Sequence, residues 1–159
     1  MAPGPDGSRA RRGNEELVRS RRAGRRLALA SVFEAEFGQR TPDAILERHL
    51  STEGDAEASA LARELVANVV RHRDTLDAQI SAAAPQYPVV QLARMDRALL
   101  RCGLSEVLHS PATPARVAIA EWVELARTYS GDPMRRLMNG VLGRVSRDMD
   151  GSRQDNTPG

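Results

Sequence analysis

The sequence predicts an all-α fold, a bundle of six to seven helices arranged in two halves. Three observations lead there. Apolar residues recur at three- and four-residue spacing along most of the chain, which is helical periodicity, and no stretch alternates as a strand does. Hydrophobic residues make up 41% but aromatics only 3%, so the core must be built from Ala, Leu, Val and Ile, a composition suited to packed helices. Finally, Thr41-Pro42, Thr113-Pro114 and Asp132-Pro133 each place a capping residue before a proline, a helix-start signature.

The elements follow in order. Residues 1–13 offer almost nothing to bury and read as a disordered basic arm. A first helix is expected from about Glu15 to Phe37, with Gly38 just past its end. Thr41-Pro42 opens a short helix to about Leu50, and Ser51 to Asp55 is a loop. A long helix from Ala56 to Ala83 carries Leu61, Leu65, Val69, Leu76 and Ile80. The prolines of Ala84-Pro85-Gln86-Tyr87-Pro88 end it and divide a single domain, residues 14–147, into halves of about 14–84 and 89–147. Val90 to Leu108 should form the next helix, with Leu92, Met95, Leu99, Cys102 and Gly103 on one side. Two more helices start at the remaining proline pairs: one has a face of Ala118, Trp122, Leu125 and Tyr129, the other carries Leu137, Val141, Leu142 and Val145. Residues 148–159 read as a disordered tail.

Composition excludes several classes. No run approaches the roughly 18 apolar residues of a membrane span, and Met1 to Gly13 lacks a signal peptide's apolar stretch. With Cys102 alone there is no intrachain disulfide, consistent with a cytoplasmic location. His49, His72 and His109 lie far apart in sequence, and none is spaced from another ligand as metal sites require. Cys102 falls on an apolar helix face and reads as a small core filler. Glu121 and Glu124 share what reads as a solvated helix face. The glycines form no phosphate-cradling loop. Neither catalytic machinery nor a cofactor site is visible.

The charge pattern is informative. All 23 basic residues are arginine, and eight of them fall in residues 1–26, giving that segment a net charge of +5 although the whole chain carries only +2. Arg22 and Arg26 stand four apart, as do Arg21 and Arg25, with Arg19 one turn before Arg22. Like charges so placed repel by about 0.2–0.5 kcal/mol per pair, so an external polyanion explains them better than helix stability does. Arginine forks onto phosphate and stacks on bases, which suits single-stranded RNA. DNA, an anionic membrane and a solvated helix start with apolar-covering Arg stems are the competing readings.

Two further residues stand out. Asp96 projects among Leu92, Leu99 and Gly103, where a charge is costly unless paired. Three readings are open: an N-cap of a helix starting at Arg97, a buried partner of an arginine, or a contact for another protein. Gly140 lies inside the last helix, at a cost of about 1 kcal/mol against Ala, and close helix approach is the usual compensation.

Five segments carry a resemblance. They are Arg21-Arg22-Ala23-Gly24-Arg25 with Ala28-Leu29 and Phe33-Glu34; Thr75-Leu76-Asp77; Met95-Asp96-Arg97-Ala98-Leu99-Leu100-Arg101; Val117-Ala118-Ile119-Ala120-Glu121 leading into Val123-Glu124-Leu125-Ala126; and Met138-Asn139-Gly140-Val141-Leu142. In this order and spacing, over about residues 19–146, the chain resembles the NusB family of transcription antitermination factors. The resemblance implies a non-enzymatic all-α protein of two helical halves. It also implies binding to the boxA element of ribosomal RNA leaders together with NusE, a ribosomal small-subunit protein, within the RNA polymerase antitermination complex. The implied RNA contacts are Arg21, Arg22 and Arg25, with Arg19 and Arg26 beside them, and Asn139 of the family's Asn-Gly motif. Phe33 would lie near both the RNA and NusE surfaces, and Asp96 at an acidic position used for NusE. Leu137 in place of a common Phe, Ala120 in place of a common Asn, and Gly24 within the arginine run depart from the family pattern. Two rival readings are the RNA-binding module of a ribosomal RNA cytosine methyltransferase and an inactive homodimer.

Overall fold

Helix α1 runs from Asp6 to Ala35, much longer than the apolar pattern alone predicts. It belongs to a computed structural model that describes residues 6–155; residues 1–5 of the expected arm and 156–159 of the expected tail lie outside the described residues. From Asp6 to Gly13 the expected arm is helical instead. Arg9, Ala10, Arg11, Arg12, Glu15 and Glu16 are good helix formers, and a helix nucleated by its packed part propagates through them with nothing to bury. The same argument covers the other end, where α6 spans Asp132–Asp155 rather than stopping near residue 147.

The remaining elements are α2 (Pro42–Leu50), α3 (Ala56–Ala83), a 3₁₀ turn (Val89–Gln91), α4 (Arg94–His109) and α5 (Ala115–Tyr129). No strand occurs among the described residues. Gly38 takes φ +88°, a left-handed conformation that lets the chain leave α1. Thr41 caps α2 by accepting from the Ala44 N–H, with Pro42 in the first turn. Asp55 caps α3 by accepting from the Ala58 N–H and also takes a hydrogen bond from the Ser20 hydroxyl of α1 at 2.6 Å. Two starts differ from expectation. After the prolines, Leu92 and Ala93 stay extended, so α4 opens at Arg94 and not near Val90. Thr113 does not cap α5; Pro114 holds the cap position without a side-chain bond.

α1 packs on α3 and α2, α5 packs on α6, and α4 packs on both α3 and α5. One continuous core runs through all six helices, from Ala28 and Leu29 through Leu65, Ile80 and Leu99 to Trp122, Met138 and Val145. Cys102 is a buried part of it, as its position on the apolar face predicts. Glycine provides two close approaches. A Cβ on Gly24 would sit 2.8 Å from the Ala58 carbonyl oxygen of α3, and one on Gly103 would sit 3.2 Å from Trp122. Gly140, the glycine expected to mediate such an approach, is exposed and a Cβ there would meet nothing within 4 Å. The packing explanation therefore belongs to Gly24 and Gly103.

Candidate nucleic-acid interface

The arginines of α1 separate by which side of the helix they occupy. Arg25 precedes the buried Ala28 and Leu29 by three and four residues, so its side chain turns inward, and it is only 2% exposed. Its Nε and Nη2 donate to the two carboxylate oxygens of Glu106 at 2.8 and 2.7 Å. Glu106 is fully buried and also accepts from the Trp122 indole N–H at 2.8 Å. Burial alone would push the Glu106 carboxyl up; the hydrogen bonds and charge of Arg25, helped by Trp122 and Thr113, outweigh it and hold that carboxyl below its ordinary range. Two of the five Arg25 N–H donors are fixed on Glu106 and the group is buried, so it presents no donor to a phosphate in solvent. The expected RNA contact at Arg25 is corrected: this residue locks α1 to α4 and α5.

Arg21 is half-buried and donates to the Thr113 hydroxyl at 2.5 Å. Arg22 is exposed and bonds Glu121 across the gap to α5 at 3.1 Å. Glu121 also lies 3.7 Å from Arg25, so the expected solvated face is wrong for this residue and right only for exposed Glu124. Arg19 and Arg26 are exposed, with no ion-pair partner among the described residues. Arg22, Arg26, Glu121, Leu125 and Tyr129 line a groove of about 510 Å³ between α1 and α5. Tyr129, expected on the apolar face of α5, is 46% exposed there and offers a ring to the groove. Asn139 is exposed on α6 and is not among the groove's lining side chains.

A second face forms where α1 ends against the start of α4. Phe33 is half-buried and meets Phe37 edge-to-face at 5.3 Å, and Phe37 is 56% exposed beneath the Arg94 guanidinium at 4.7 Å. Asp96 lies in the first turn of α4, half-buried, but turns away from that face toward the end of α5, accepting from the Ser130 hydroxyl at 2.7 Å. Ala93 holds the cap position, which removes the N-cap reading, and the partner seen for Asp96 is the Ser130 hydroxyl rather than an arginine. Arg97 and Arg101 are spent on structure: both bond Glu36 at 2.9 and 2.6 Å, and Arg101 also bonds Asp77. Burial pushes the Glu36 carboxyl up, and these two arginines bring it below its ordinary range.

Sequence reasoning did not single out Glu106, and it gave Glu121 to a solvated face and Tyr129 to an apolar one rather than to the α1–α5 groove. The signal for Glu106 was present: an acid inside the apolar run from Cys102 to Val107 demands a partner. Among the histidines, the fold stacks His72 on His109 at 3.8 Å between ring centroids, where α3 kinks at His72. The described residues contain no group of three or more His, Cys, Asp or Glu that could hold a metal, and none of their helices is long and apolar enough to cross a membrane.

Comparison with known proteins agrees with this architecture. The family model of NusB matches residues 22–147. The transcription antitermination protein NusB of Symbiobacterium thermophilum is 37% identical, over 84% of this chain and 93% of its own length. That of Chloroflexus aggregans is 39% identical, over 84% and 91%. Among solved structures, T. maritima NusB superposes with a TM-score of 0.74 at 27% identity, covering 80% of this chain and 90% of that one. A structure of antitermination factors NusB and NusE with double-stranded RNA shares the fold, at TM-score 0.73 and 20% identity, over 82% and 98%. The likeness runs across nearly the whole length of these relatives. From the inward Arg25 of α1 to the Asn-Gly pair of α6, the chain belongs to the NusB family of transcription antitermination proteins.

Proposed function

We propose that this chain is a cytoplasmic antitermination factor that binds single-stranded boxA-type RNA on the α1–α5 face and NusE through Asp96 and Phe33, as part of an RNA polymerase antitermination complex. The observation that carries the RNA half is the sorting of arginines. Arg25 is sequestered by Glu106, while Arg19, Arg22 and Arg26 remain exposed beside a groove holding Tyr129. Exposed guanidinium groups fix phosphates and an exposed ring stacks unpaired bases, a combination suited to single strands rather than to the narrow groove of an A-form duplex. Arg21 contributes at the edge, and Asn139 adds an amide from α6.

The relatives' name and the solved complex of NusB with NusE and RNA support the reading. On the NusE side, Asp96 presents a carboxylate in a helix first turn, and Phe37 and Val90 add exposed apolar surface that the sequence did not single out. The test is a gel shift with a boxA oligomer, a scrambled oligomer and a duplex of the boxA oligomer, each with and without NusE. The boxA single strand should bind most tightly, and more tightly with NusE present. Equal binding to the boxA and scrambled strands would leave only a polyanion binder.

A further inference from the structure

The family match begins at residue 22, but α1 begins at Asp6, about 24 Å of helix earlier. Every residue from 7 to 19 is exposed, so this part of α1 projects past the bundle and no other described element covers it. We propose that it is a second RNA-binding track, continuous with the α1–α5 face and contacting phosphates that flank the boxA core. The proposal rests on the RNA-binding reading given above.

Three observations carry it. At about 100° per residue, Arg11, Arg12, Arg19, Arg22 and Arg26 fall within a sector of roughly 100° on α1, with Arg12, Arg19 and Arg26 seven residues apart. Arg12 and Arg26 are then about 21 Å apart along one straight edge. Glu15 is the only acid in that sector. Second, four of the five arginines in that sector are not neutralised within the described residues, Arg22 with Glu121 being the exception, whereas several arginines of the packed bundle are. Arg25, Arg48, Arg63, Arg97 and Arg101 all hold carboxylates. Arg11, Arg12, Arg19 and Arg26 hold none among the described residues, and Arg12 bonds only the Ser8 hydroxyl. Third, the segment is helical, so its charges stand in fixed register with the groove rather than scattered through a coil. A membrane surface fits less well, because Leu17 and Val18 are its only large apolar residues and lie outside the arginine sector.

The test uses the full chain and two fluorescent RNAs, a short boxA-type oligomer and the same oligomer with uridine flanks on both sides. R11Q/R12Q should bind the short oligomer as the wild type does. On the flanked oligomer its log–log salt slope should fall by about 1.4, so the affinity lost between roughly 50 and 200 mM salt shrinks about sevenfold. Gly13→Pro keeps every arginine but breaks the helix, and should also weaken binding of the flanked oligomer alone. The track is overturned if the flanks add nothing to wild-type affinity, if R11Q/R12Q leaves the slope unchanged, or if Gly13→Pro has no effect. The first two results would point to a protein partner for the projection, and the last to charge without register. R22Q/R26Q is the control: it should weaken both oligomers. If it weakens neither, or if the wild type does not bind the short oligomer, the RNA face itself is wrong and the track fails with it.

Discussion

Replacing Arg25 with Ala should destabilise this protein severely, whereas replacing Arg22 should not. The Arg25 and Glu106 side chains are 3% and 0% exposed and their charged atoms meet at 2.7 Å. At an effective dielectric near 20 that separation corresponds to an attraction of roughly 6 kcal/mol, offset by the desolvation of both groups. Removing one partner leaves Glu106 buried with only Trp122 and Thr113 beside it, and breaking such a pair costs about 3–5 kcal/mol. For a domain of this size that is roughly 6–20 °C in melting temperature. The Arg22 pair with Glu121, its guanidinium side 56% exposed, is worth about 0–1 kcal/mol. Thermal and urea unfolding followed by circular dichroism would measure both. The pH dependence has a definite sign. In the wild type the Glu106 carboxyl lies below its ordinary range, so its contribution is present at neutral pH and is lost as pH falls through that depressed value. Without Arg25, burial dominates and raises the carboxyl, so the charged form penalises folding at neutral pH. The gap between R25A and wild type should therefore narrow on acidification through the ordinary carboxylate range. Adding Glu106→Gln to R25A should recover much of the loss, since a neutral amide still accepts from Trp122. A loss under about 1 kcal/mol in R25A, with RNA affinity selectively reduced, would refute this reasoning and return Arg25 to the RNA face.

Other outcomes follow from the same structure. Gly24→Ala should destabilise by about 1–3 kcal/mol, because its Cβ would lie 2.8 Å from the Ala58 carbonyl oxygen, and that oxygen is backbone. Gly140→Ala meets open space and should instead stabilise by about 1 kcal/mol, both read by urea denaturation. Asp96→Asn keeps a hydrogen-bond acceptor for Ser130 and should leave the melting temperature within about 2 °C while weakening NusE binding in calorimetry. His109 is held below its ordinary value of 6.5 by burial and by the stacked His72. Its neutral form is favoured in the fold, so stability should fall as pH drops below 6.5, and His109→Gln should blunt that decline in melts across the range.

The fold was largely legible because periodicity and proline punctuation act locally. Thr41-Pro42 and Asp132-Pro133 mark helix starts through the physics of one turn, and α3 runs from Ala56 to Ala83 as its apolar spacing predicts. Where the reading failed, a non-local or cooperative effect was responsible. Residues 6–13 have nothing to bury and so resemble a coil, yet they extend a helix that is nucleated by packing about ten to twenty residues further on. Thr113 resembles a cap because it precedes Pro114, but its hydroxyl is drawn to Arg21 across the interface.

The site was harder to read for a more specific reason. Arg21/Arg25 and Arg22/Arg26 are two four-residue pairs about 100° apart around α1, so both cannot face one ligand and the first turns toward the core. Arg21, Arg22 and Arg25 look equivalent in a motif, but rotation about α1 gives them three environments: half-buried on Thr113, exposed on Glu121, and sealed against Glu106. The phase was available from Ala28, Leu29 and Val32, whose burial fixes which side of α1 is inward. Applied to Arg25, that phase demands a buried acid elsewhere in the chain, and Glu106 in its apolar run is the residue that answers. A basic motif thus does two jobs on one helix. Its inward arginine holds the helix that presents the outward ones, so loss of RNA binding on mutating Arg25 would report a lost scaffold rather than a lost phosphate contact.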